Sequence, residues 1–287
     1  MLYVTYSLNF LLMLAMPFVL GAFLARRLGT RWGLFWAGAV TFIASQVVHL
    51  PLNAALLPVF QRSIAAGLPA AWQRPATAIV LGLSAGLCEE LARYLALRFW
   101  LKNDRTWRRA LMFGAGHGGI EAVIVGLFAA QFALNMFILR STDPAQLGVP
   151  ADRIPAVLAQ VQAYWSAPWQ LTVLGAVERA FTLCTHLGLT VLVLQAFTRR
   201  SPLWLLAAIG WHALADTGAL IVAPVWGPLW TEAAIGVVAL VSLGFVFALR
   251  QPEPESPAPA PLPPLTAAAQ PVPAAPTAEQ LERTRFQ

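Results

Sequence analysis

Residues 76–100 read ATAIVLGLSAGLCEELARYLALRFW, and the fold is decided by what is wrong with that string. It is long and apolar enough to cross a bilayer, which takes roughly 20 such residues. Yet Glu89, Glu90 and Arg93 sit inside it. One charge at the centre of a membrane helix costs about 2.5–3.5 kcal/mol. Three together are tolerable only in a bundle whose other helices offer partners or a water-filled cavity.

The rest of the chain supplies that bundle. Of 287 residues, 58% are hydrophobic and 11% charged, well below the roughly 25% charged residues of soluble domains. Six more apolar runs fall at about 3–25, 33–59, 110–138, 169–197, 203–223 and 228–249, with an interfacial stretch at 61–75. Pro51 is expected to kink or end the second run, and Pro150 and Pro155 mark a polar loop before the fifth. Arg26, Arg27, Arg31, Lys102, Arg105, Arg108, Arg109, Arg199, Arg200 and Arg250 gather at one set of ends. Only Arg62, Arg74, Arg140 and Arg153 fall at the other. The positive-inside rule then puts the N-terminus outside and the C-terminus in the cytoplasm. The expected fold is an all-α polytopic transmembrane bundle of about seven spans over residues 1–250. A Pro/Ala-rich segment, 251–287, is expected to be a disordered tail.

Several function classes drop out. The net charge of +6 comes from basic clusters at span ends, which suit lipid headgroups, so no nucleic-acid partner is expected. The basic residues near the N-terminus follow the first apolar run, so it reads as a retained helix and not a cleaved signal. Cys88 and Cys184 lie inside apolar segments and form no CxxC pair, which makes them packing residues. Gly82-Leu83-Ser84-Ala85-Gly86 matches G-x-S-x-G, but that elbow needs a strand-to-helix turn and this copy lies in a helix. His49 and Glu232 fall near outer span ends, where interfacial placement is expected.

With Arg98 near a span end and able to snorkel to the cytoplasmic surface, ten charged or histidine residues remain inside the spans: Glu89, Glu90, Arg93, His117, Glu121, Glu178, Arg179, His186, His212 and Asp216. Counted from the nearest basic anchor at 1.5 Å per residue, Glu90, His117, His186 and His212 lie roughly 12–20 Å deep. Four helices thus bring polar groups to one layer. Glu89 and Arg93, His117 and Glu121, and His212 and Asp216 are each four residues apart, an offset at which helical side chains meet. The glycines around His117, at 114, 116, 118 and 119, allow close helix approach or room for water. A carboxylate beside imidazoles can activate water for hydrolysis. Alternatively His117, His186 and His212 could hold Zn²⁺ with a water in the fourth position. Spacing does not separate the two routes.

Glu89-Glu90-Leu-Ala-Arg93, Phe113-Gly-Ala-Gly-His117 and His212-Ala-Leu-Ala-Asp216 resemble the three motifs of the CAAX-protease and bacteriocin-processing superfamily of intramembrane proteases. Gly114-Ala-Gly-His117-Gly-Gly-Ile-Glu121-Ala, followed by Glu178-Arg179 and His186, resembles its YhfC branch, described as intramembrane metalloproteases or glutamic-type proteases. The resemblance covers about residues 85–220. It implies a membrane protein or peptide as substrate and a place in the bacterial inner membrane. It also implies Glu89 as the water-activating base, oriented by Glu90 and Arg93, with His117 positioning water or the scissile carbonyl. His212 and Asp216 would take the oxyanion side. Glu121, Glu178, Arg179 and His186 would surround these or complete a metal site. Two departures stand out: Arg93 comes one residue earlier than in the usual EExxxR, and Asp216 replaces the commoner Asn. A proton- or ion-coupled transporter, or a non-catalytic membrane chaperone or immunity protein, would use a similar layer. No internal repeat of the kind many carriers show is visible.

Overall fold

A computed structural model describes residues 1–252; the expected tail lies, from residue 253 on, outside the described residues. Eight α-helices follow one another: α1 (Leu2–Leu28), α2 (Trp32–Ser63), α3 (Ala70–Leu95), α4 (Trp107–Leu139), α5 (Ile154–Ser166), α6 (Leu174–Thr198), α7 (Leu203–Trp226) and α8 (Pro228–Ala248). No strand occurs among the described residues. Seven of the helices, all but α5, are long and apolar enough to cross a membrane. The chain is an all-helical membrane bundle.

Local chemistry explains the helix ends. α1 closes at Gly29, whose φ of 64° is a left-handed conformation that glycine adopts without steric cost, just after Arg26 and Arg27 in the last turn. α2 does not end at Pro51 but runs through Pro51 and Pro58 to Ser63. A proline removes one backbone hydrogen bond, whereas ending a helix in hydrocarbon strands several polar groups at once. The stretch 61–75 is therefore largely helical, leaving a short link with a 3₁₀ turn at Ala65–Gly67. The loop expected between the fourth and fifth spans contains α5. Pro155 fits its first turn, where the missing N–H would have no partner. The Tyr6 hydroxyl donates to the Tyr164 carbonyl at 2.7 Å, Trp165 Nε1 donates to the Met136 carbonyl at 3.2 Å, and Arg140 lies 4.2 Å over the Trp165 ring.

α6 is the central post. Of its apolar stretch 72% is buried, against 17% for α2 and α7, and it packs on α8, α4, α7 and α1. α4 lies among α1, α2 and α6, while α3 is sandwiched by α7 and α2. Three crossings are backbone to backbone, one of them α6 on α8, where a Cβ on Gly188 would stand 2.7 Å from the Ser242 carbonyl oxygen. A Cβ on Gly116 would stand 1.8 Å from the Phe35 carbonyl oxygen, and one on Gly38 would stand 2.0 Å from that of Phe113. Gly82 and Gly86 do the same for α3 against α7, at 2.6 Å from the Ala213 oxygen and 2.7 Å from the Ile209 oxygen. The G-x-S-x-G string is thus a helix-crossing surface. The hydrophobic core fills the end of the bundle that carries the basic clusters, around Leu34, Phe35, Leu97, Met112 and Val191. That end is tied by Trp107 Nε1 donating to the Val246 carbonyl at 2.7 Å, and by Asp104 between Arg31 and Arg109 at 3.0 and 3.2 Å. The polar layer begins where this core stops.

Candidate functional site

α3 presents Glu89, Glu90 and Arg93 toward the interior, and Glu90 and Arg93 are completely buried. One Arg93 NH₂ group donates to Glu90 Oε1; the other donates to His186 Nδ1 on α6 and lies 3.7 Å from Glu89 Oε2. The early arginine therefore clamps Glu90, three residues back, and leaves Glu89 to other partners. Glu90 Oε1 also accepts from His212 Nδ1 at 2.6 Å, across the glycine-lined α3–α7 crossing. The remaining His212 nitrogen, Nε2, faces Asp216 Oδ2 at 3.5 Å.

His117 on α4 is fully buried, with the edge of Phe42 packed against its ring at a centroid distance of 5.3 Å. Its Nε2 lies 3.2 Å from Glu89 Oε2, and its Nδ1 has no hydrogen-bond partner. Glu121, four residues further on, turns instead to α6. Its Oε1 accepts from Arg179 at 2.6 Å and its Oε2 from His186 Nε2 at 2.6 Å. Arg179 also holds Glu178, so one guanidinium balances two carboxylates. The His186 ring can reach this far in because Gly118 yields space: a Cβ there would stand 2.5 Å from His186 Cδ2.

Glu89, His117 and His186 each offer one ligand atom, all within 4.8 Å of one another. His212 is outside that group, because the α3–α7 crossing sets it over Glu90. The set of three that the geometry favours thus differs from the expected His117–His186–His212 by having Glu89 in place of His212. Two histidines and a glutamate match a catalytic zinc site with three protein ligands. The orphaned, buried His117 Nδ1 belongs to the same residue set, and the Glu121 carboxylate on His186 Nε2 is the usual support of a ligating imidazole. Both His186 nitrogens already have partners, so an ion here takes the place of one hydrogen bond. Beside the group is a cavity of about 160 Å³, walled by Glu89, Glu121, Arg179, His186, His212 and Asp216 with apolar residues of α7 and α8. Asp216 and Glu178 are the open members, with side chains 43% and 37% exposed.

One part of the site lies outside the expected ten. Gln46 on α2 donates from Nε2 to Glu89 Oε1 at 3.1 Å, and its own Oε1 is 3.2 Å from His49 Nδ1. Asn53 Nδ2 reaches His49 Nε2 at 2.9 Å, and the Ser84 hydroxyl donates to Asn53 Oδ1 at 2.7 Å. His49 is therefore tied by hydrogen bonds into the bundle. The sequence carries a signal for this: residues 46, 49 and 53 share one helix face, between Val47, Val48 and Leu50 on the exposed side.

The profile of the YhfC intramembrane metalloprotease family matches residues 12–237. An uncharacterised membrane protein, YhfC of Bacillus subtilis (strain 168), is 34% identical over 209 residues, covering 72% of this chain and 79% of that protein. No solved structure matches.

Proposed function

The chain belongs to the YhfC intramembrane metalloprotease family, and from that premise we propose that it hydrolyses a peptide bond of a membrane protein or membrane-associated peptide. The observation that carries this reading is the convergence of Glu89, His117 and His186 donors within 4.8 Å, with Glu89 and His186 also lining the adjoining cavity. These three would hold the metal, zinc by the character of the donors. When bound, such an ion supplies Lewis acidity to the scissile carbonyl and to the attacking water.

The protein's own groups do the rest. Glu90 accepts the Nδ1 proton of His212 at 2.6 Å, and Nε2 turns its own N–H toward the Asp216 carboxylate at 3.5 Å, at the edge of the cavity. The Asp216–His212 pair is then placed to take a proton from water at the carboxylate and to give one to the leaving amine from Nε2–H, the Asp216 proton afterwards restoring the imidazole. Arg93 cancels the charge of Glu90, so that this carboxylate orients the imidazole without needing a proton of its own. Glu121 steadies the His186 ring through Nε2, and Arg179 keeps Glu121 in place. The basic ends of the bundle would face the cytoplasm, as the charge bias requires.

A second, metal-free reading is favoured by one contact. Arg93 already sets a positive charge between Glu89 and His186 Nδ1, and Glu89 with His117 can then activate water directly. The test is elemental analysis together with cleavage of a reporter carrying a membrane segment, on the full chain in nanodiscs. About one zinc per chain, lost with H186A together with cleavage, supports the metal route. Cleavage by metal-free protein, abolished by E89Q and H117A, supports the second. Undiminished cleavage in both E89Q and H117A refutes the site itself.

A further inference from the structure

We propose that Gln46, backed by His49 and Asn53, is a positioning residue that restricts Glu89 to a single free oxygen. The proposal rests on the reading of Glu89 as one of three ligand-bearing side chains. An ionised Glu89 only accepts hydrogen bonds, so the amide of Gln46 must turn its NH₂ end toward Oε1, where it lies at 3.1 Å. Its carbonyl end then accepts from His49 Nδ1–H at 3.2 Å. That choice leaves His49 Nε2 bare, as the donor contact from Asn53 at 2.9 Å requires. The Ser84 hydroxyl closes this end, with Asn53 Oδ1 at 2.7 Å, the Leu81 carbonyl at 2.9 Å and His49 Nε2 at 3.3 Å. From Glu89 outward through Gln46 and His49 to Asn53, each orientation determines the next.

Polar side chains on a lipid-facing helix are expensive unless satisfied. Here three of them occupy one face of α2 and form a chain whose last member, Gln46, holds one oxygen of one carboxylate. With Oε1 held, Oε2 alone points to His117, at 3.2 Å. Glu89 is thereby a one-oxygen ligand. Without Gln46 the carboxylate could present both oxygens and fill the position that a catalytic centre keeps open. The signal is independent of the three sequence motifs, all of which lie on other helices.

The experiment uses the full chain in nanodiscs, stripped by chelator and titrated with Co²⁺ alone. Q46A is expected to bind Co²⁺ about 10- to 100-fold more weakly, the usual effect of losing a group that orients a ligand. Its visible absorption should also fall from the intense bands of low coordination toward the weak bands of higher coordination. A purely structural role for Gln46 would leave that spectrum unchanged. H49A, which keeps Gln46 but frees its amide to turn, should show the same spectral change in smaller measure, and it decides the matter if Q46A does not fold. Wild-type affinity and spectrum in the folded variants overturn the proposal. Should the wild-type chain itself take up no cobalt, the ligand reading fails, and a double-mutant cycle of Q46A and E89A in chelator then decides whether Gln46 holds Glu89. Non-additivity of roughly threefold or more in the unfolding constant, the size of an average hydrogen bond between membrane helices, upholds it; additivity overturns it.

Discussion

Replacing Gly116 by alanine puts a methyl group where α2 already stands. The new Cβ would lie 1.8 Å from the Phe35 carbonyl oxygen and 2.5 Å from its carbon. Real Cβ atoms essentially never come closer than 3.0 Å to such atoms, so α2 and α4 must part by about 1.2 Å at this crossing. A carbonyl in a helix cannot swing aside as a flexible side chain would, so the strain is not locally relieved. Overpacking of this kind costs about 1–3 kcal/mol, and a backbone clash belongs at the upper end. His117 is one residue away on the moving helix, and Gln46 is on the other. A misplacement near 1 Å at a reacting group costs roughly 100-fold in rate. Gly210 on α7 is the control, since nothing lies within 4 Å of the Cβ it would gain, and alanine there is expected to be neutral or to stabilise by up to about 1 kcal/mol. Thermal unfolding of both variants in nanodiscs, scored beside reporter cleavage, makes the comparison. Equal stability and equal activity of G116A and G210A would refute the claim that backbone contact at this crossing sets the position of His117.

Other consequences can be checked with the same preparations. E121Q weakens the support of His186 Nε2 and should lower metal affinity about 10- to 100-fold in a Co²⁺ titration. R179A leaves Glu121 and Glu178 without their shared cation and should destabilise by about 3 kcal/mol in thermal unfolding. E178A, at a side chain 37% exposed, should cost less than about 1 kcal/mol in the same measurement. Chelation should abolish reporter cleavage and added Zn²⁺ should restore it, whereas cleavage that survives chelation points to the Glu89–His117 pair acting alone.

The seven membrane helices are legible in the sequence because length and hydropathy suffice for them, and the charged string at 89–93 already implies a polar interior. α5 is not, because a 13-residue segment between prolines carries too little apolar length to stand out from a loop. That Pro51 does not stop α2 has a different reason: in lipid, ending a helix is worse than the strain of carrying a proline. Within the site, spacing shows which residues share a face but not which helix that face meets. Glu121 is on the face of His117, yet gives both carboxylate oxygens to α6. His212 is at the right depth for a ligand, yet the close approach at Gly86 sets it over Glu90. Gln46 and His49 escape notice because neutral polar residues add little to a charge-based reading, although their spacing with Asn53 is the mark of an inward face.

The cavity beside Glu89 has a kinetic consequence. At about 160 Å³ it is smaller than the roughly 300 Å³ at the low end of small-molecule pockets. Water fits with ease, while a folded segment does not. For the proposed reaction a substrate would have to enter as unwound chain, from the side where Asp216 and Glu178 are exposed. The cost of unwinding then falls on the substrate, and reporters with a helix-breaking residue beside the scissile bond would be cleaved faster than those with a stiff helix there.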